Sequence, residues 1–125
     1  MSEPVLVFPD LVAEAPHVPR GIHSQTLYDG PDLRLVLFAF APGEELSEHT
    51  AARPAVVHVL DGEGDAIVGD EPFALNPGTW FRMPAGTAHS IHARSPLRMA
   101  LYLLPDVARP AVEGVGAAVE GEAGG

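Results

Sequence analysis

Residues 72–104 read PFALNPGTWFRMPAGTAHSIHARSPLRMALYLL. Short apolar and aromatic runs, Pro72 to Leu75, Thr79 to Met83, Ala88 to Ala93 and Leu97 to Leu104, alternate with breakers. The breakers are Asn76-Pro77-Gly78, Pro84-Ala85-Gly86 and Arg94-Ser95-Pro96. Proline removes a ladder donor and glycine tolerates turn geometry, so each cluster ends one element and starts the next. Runs this short and this evenly spaced predict β-strands joined by tight turns, the pattern of a sandwich or barrel.

The same rhythm extends upstream. Leu33 to Phe40 (LRLVLFAF) is the clearest strand, apolar on both faces and therefore covered on both. Glu45 to Thr50 reads as a polar strand, and Ala55 to Leu60 (AVVHVL) as a second apolar one closed by Asp61-Gly62-Glu63-Gly64. Ala66 to Val68 answers it across a hairpin-like turn, and Ile22 to Tyr28 makes a further short strand. Pro4 to Pro19 is expected to be an edge strand or an arm lying on a partner subunit. No segment holds a helical period. The fold expected is all-β: a small antiparallel β-barrel over residues 1–105, followed by a disordered acidic Gly/Ala-rich tail, 106–125.

Composition narrows the function. The chain has 125 residues, 46% hydrophobic, with 13 Gly and 13 Pro, enough for one domain with a real core. Its formal net charge is −10 and it has no lysine, so it repels phosphate backbones and anionic membranes; neither nucleic acid nor membrane is an expected partner. There is no cysteine, which removes disulfides, thiolate metal sites and thiol nucleophiles. No signal peptide or spanning segment is visible, which suggests a cytoplasmic protein. The absence of Lys beside abundant Ala, Gly, Pro and Arg suggests a GC-rich bacterial source.

The offsets of Gly43, His49 and Gly62, and those of Gly78, Pro84, Gly86 and His89, resemble the two sequence motifs of the cupin superfamily. The likeness covers roughly Leu33 to Leu104. It implies a double-stranded β-helix, jelly-roll-like, in which the motif hairpins face each other and His49 and His89 converge. It also implies a divalent metal (Zn, Fe, Mn or Ni) and activities such as those of dioxygenases, isomerases and decarboxylases. The chain departs from the pattern at three positions. Ala51 stands for the second His of the first motif, Ala55 for its Glu, and Ala93 for the usual Asn of the second.

His49, His89 and His58 are therefore the candidate metal ligands, with His58 needing a bulge to turn it toward His49. His92 has the same parity problem relative to His89; His17 and His23 read as surface residues. Trp80, Phe81 and Met83 are expected in the barrel lining or core, and Arg53 and Tyr102 are within the set that could touch a ligand. Three functional readings stay open: a metal-dependent enzyme acting on a small oxygenated molecule, a metal-free module binding a small organic ligand, and a structural protein. A homodimer is expected, because two strands are apolar on both faces while a small barrel has one interior.

Overall fold

A computed structural model describes residues 4–105, so the expected tail, 106–125, lies outside the described residues. One helical turn, α1 (Leu11–Glu14), precedes nine strands: β1 (Ile22–Asp29), β2 (Arg34–Phe40), β3 (Glu45–His49), β4 (Ala55–Asp61), β5 (Gly64–Val68), β6 (Glu71–Leu75), β7 (Trp80–Met83), β8 (His89–Ala93) and β9 (Leu97–Leu103). Each breaker cluster quoted above lies between two strands. The strands form two antiparallel sheets, ordered β1-β2-β9-β4-β7 and β3-β8-β5-β6. This is the all-β antiparallel barrel expected, flattened into a five-stranded and a four-stranded wall.

Strand alternation sends every second side chain to the space between the walls. From the larger sheet Phe40, Val57, Val59, Leu97 and Met99 point inward; Ala66, Leu75, Ile91 and Ala93 meet them from the smaller one. Phe73 and Phe81 close the cluster edge-to-face, with ring centroids 5.1 Å apart. Phe81 and Met83 thus belong to the core, as expected. Trp80 does not: it is opposite in parity to Phe81, pairs in register with His58 on the outer face, and is 59% exposed.

The second apolar face of β2 is covered from within the chain. Leu35, Leu37 and Ala39 pack with Ala15 and Ala100 in a separate cluster, joined by Phe8, Leu11 and Val18 of the N-terminal segment. This corrects the edge-strand alternative for Pro4 to Pro19. The segment is no edge strand; it folds back over its own sheet, with Asp10 capping α1 through a bond from the Val12 amide to Oδ1. Arg98 holds it there. Its guanidinium donates to the carbonyls of Val12 and Ala15 and pairs with Asp61 at 2.7 Å.

Two motif glycines have separate reasons to be glycine. Gly43 and Gly62 both have positive φ, +83° and +93°. A side chain on Gly43 would enter open space, whereas one on Gly62 would collide with the Pro96 carbonyl. Gly43→Ala should therefore cost about 1–2 kcal/mol, the backbone penalty alone, and Gly62→Ala about 3 kcal/mol or more. Urea unfolding of the two variants checks the order; equal losses would contradict the assigned close approach.

Candidate functional site

His89 opens β8 and continues the inward parity of Ile91 and Ala93; it is 8% exposed. His49 closes β3 and pairs with His89 in register, yet parity alone would send it outward. Leu46 packs into the core, and an offset of three from an inward residue lands on the outer face. The β3–β8 ladder slips between Leu46 and His49, and this irregularity carries His49 to the same side as His89. Their rings lie 4.2 Å apart, centroid to centroid, tilted by 56°.

Both rings are held in the same way. His49 Nδ1 lies 3.0 Å from the Ser47 carbonyl, and His89 Nδ1 lies 2.9 Å from the Thr87 carbonyl. A carbonyl only accepts, so each Nδ1 carries the proton and each neutral ring keeps its acceptor at Nε2. His49 is exposed and His89 nearly buried, which places the pair where the core meets solvent. Burial pushes the His89 imidazole below its usual range; the Thr87 hydrogen bond opposes this, and the neighbouring His49 adds to it.

The loops that deliver the pair close one end of the barrel. The loop after His49 is joined to the loop before His89 by a bond from the Gly86 amide to the Ala51 carbonyl. Arg53 ties the first loop to the end of β9, donating from Nε to the Leu104 carbonyl at 2.8 Å and from Nη2 to that of Leu103. Arg53 is thus committed to backbone. Tyr102 packs on the outer face with Leu35 and Leu37, away from the pair.

The structure brings together two of the three proposed ligands. His58 lies between the inward Val57 and Val59 and is paired with Ala100 and Trp80 on the outer face of its sheet. No bulge interrupts β4 between Ala55 and Val59 in its pairing with β9, so nothing reverses its parity. His92 likewise faces outward, 3.9 Å from Glu45, and His17 and His23 are exposed. Ala55, at the position of the family's Glu, is 1% exposed in the apolar cluster. Among the described residues no group of three or more His, Asp or Glu side chains is arranged to hold a metal ion. Two imidazoles fit an exchangeable ion completed by water or by ligand oxygens; they fall short of the three protein ligands usual at a resident catalytic metal.

A two-walled antiparallel barrel with inward histidines at one end defines a class of small β-barrel proteins. The chain belongs to the cupin family: the family model described as the cupin domain matches residues 36–104. Solved structures agree. A conserved protein of unknown function from Streptococcus pyogenes is 27% identical over 86% of this chain and 93% of its own, with a TM-score of 0.72. KdgF from Halomonas sp. is 26% identical over 74% of this chain and 84% of its own, with a TM-score of 0.62. A cupin superfamily protein from Desulfitobacterium hafniense, 24% identical over 82% of this chain and 94% of its own, shares the fold with a TM-score of 0.73. No curated protein matches the chain. Among the described residues no helix is long and apolar enough to cross a membrane.

The lowered His89 pKa sets a pH dependence. Above the ordinary imidazole value of about 6.5 both folded and unfolded chains leave this group neutral. Below it the unfolded chain takes the proton first, so the folded state loses stability until the folded site also protonates. The urea midpoint should fall as the pH drops below about 6.5, and the His89→Gln variant should show a flatter dependence there. An unchanged slope in the variant would assign the acid sensitivity to other groups.

Proposed function

We propose that this cupin binds a small oxygenated organic molecule at the mouth of its barrel, gripped by the paired imidazoles of His49 and His89. One observation carries the reading: both Nδ1 protons are committed to backbone carbonyls, which leaves two neighbouring Nε2 acceptors at the edge of an apolar interior. Such a pair suits a ligand hydroxyl, which donates to one ring. The neutral state favoured for His89 keeps its acceptor available near neutral pH.

The same hydrogen bonds favour a second reading. A backbone carbonyl on Nδ1 is the support that metal-bound histidines commonly receive. His49 and His89 would hold the ion, and a divalent ion there would polarise a bound ligand oxygen. With His58 on the other face, the protein supplies two ligands and the rest come from water or the organic ligand. Elemental analysis of untagged protein, purified without chelator, separates the readings when run beside a His49→Ala/His89→Ala variant. Well under one equivalent of metal in the parent, with ligand binding that survives chelator and disappears in the variant, is the expected result. A full, tightly held equivalent lost in the variant would make the metal-dependent reading the primary one.

A homodimer belongs to the same proposal, on a smaller surface than the sequence suggests. The N-terminal segment already covers the outer face of β2. One surface left for a partner is the β4–β7 side, where Trp80 is exposed beside the half-buried Val56 and His58. A second copy laid there would bury the indole, a residue type enriched at interface centres. Sedimentation velocity should show a dimer that Trp80→Ser weakens by about tenfold or more. A monomeric parent at micromolar concentration would remove the dimer.

A further inference from the structure

Arg34 is the first residue of β2, and the strand's alternation places it on the face of Phe38 and Phe40, toward the interior. It shares the parity of the core in a run that is otherwise apolar. A guanidinium cannot shed its charge at any ordinary pH, so an inward arginine requires acceptors. Three other arginines have them. Arg53 donates to the carbonyls of Leu103 and Leu104, Arg94 pairs with Asp65, and Arg98 pairs with Asp61.

Arg34 does not. Its Nε is sealed from solvent with no hydrogen-bond partner, and Nη2 reaches only the Thr26 hydroxyl, at the 3.5 Å limit of a hydrogen bond. Asp29 is its register neighbour on β1, yet no carboxylate among the described residues forms an ion pair with it. A buried, unpaired donor on a charged group is costly and points to an acceptor that the described residues do not provide.

Register places this arginine at the same end of the barrel as the histidine pair. Arg34 is paired with Leu103, Leu103 with Ala55, and Ala55 with Met83, one row across the larger sheet. Ala55 follows the loop that begins after His49, and that loop is fastened to the end of β9 by the Leu104 amide and by Arg53. The arginine on the larger wall and the imidazoles on the smaller one therefore lie toward one end of the barrel.

We propose that Arg34 is the anion anchor of the barrel mouth and that the ligand is a small hydroxy acid, its carboxylate on the Arg34 guanidinium and its hydroxyl on the His49–His89 pair. The inference rests on the reading that the mouth holds a small organic molecule, and it adds the charge and the second functional group. A planar carboxylate matches the arginine fork in a way that a neutral amide does not. The side chain turns slightly to free its sealed Nε as the carboxylate arrives, a rotamer adjustment common on binding.

The test uses para-hydroxybenzoate and beta-hydroxybutyrate as probes, with para-hydroxybenzamide as the neutral counterpart. NMR follows the Arg34 Nε–H and the ring signals of His49 and His89 in the full chain, and the backbone spectrum of each variant reports that it is folded. At least one acid should move all three residues and bind about tenfold or more tighter than the amide. Arg34→Gln should abolish that preference, and Arg34→Lys should retain part of it, since the charge stays and the fork is lost. If acid and amide bind the parent alike while moving the histidine signals, or if Arg34→Gln keeps the preference, the arginine anchor is wrong and the histidine-lined pocket stands. If neither the acids nor the amide moves the histidine signals, the anchor and the pocket fail together.

Discussion

Every placement in this molecule follows from the two-residue alternation of its strands inside two packed walls. One face of each strand meets the opposite wall, and the other meets solvent or whatever covers it. With a period of two, a single slip in register exchanges the faces of everything beyond it. The irregularity between Leu46 and His49 is such a slip. It lets a strand bury Leu46 in the core and still present His49 on the same side. Without it, Glu48 would take the inward position beside His89, and an acidic side chain would stand where an imidazole now does. The histidine pair is thus a consequence of ladder geometry as much as of sequence identity.

The same alternation created a second demand, because β2 carries apolar side chains on both faces. The N-terminal segment answers it. Phe8, Leu11, Ala15 and Val18 cover Leu35, Leu37 and Ala39, and Arg98 fixes the segment by donating to its carbonyls while pairing with Asp61. Arg98 is mostly buried, and losing either partner of such a pair strands a charge in a poorly solvated place. Two arginines of the larger sheet therefore contrast sharply. Arg98, on the outer face, has its donors filled by the chain; Arg34, on the inner face, does not.

Much of this was legible in the sequence. All nine strands lie where the Gly and Pro clusters place them, because turn chemistry is local and needs no tertiary information. The motif offsets identified the family and correctly singled out His49 and His89 as neighbours, although ideal alternation from Leu46 gave no hint of the slip that makes it so. His58 was named as a third ligand on the strength of a bulge that does not occur; its odd offset from Ala55 already pointed to the outer face, and an uninterrupted ladder puts it there. Trp80 misled because a large aromatic suggests a core, whereas its parity relative to Phe81 assigns it outward. The covering of β2 by its own N-terminal segment could not be read, since a few apolar residues between prolines fit a partner's surface as well as their own. Arg34 was missed for a simpler reason. One charge in LRLVLFAF looks like a strand end, and its inward parity matters only once the interior is known.

The Arg53 clamp has a mechanical implication. The loop that follows His49 is bonded by side chain and backbone to the last residues of β9, just before the chain leaves the described barrel at Pro105. The exit of the polypeptide and the entrance to the interior are therefore one fastened piece. Tension applied beyond Pro105, by a linker, a surface attachment or a fused protein, would load the rim before it loaded the core. A fusion at that end would tug on His49 itself, whereas one at the opposite terminus would pull first on the segment held by Arg98.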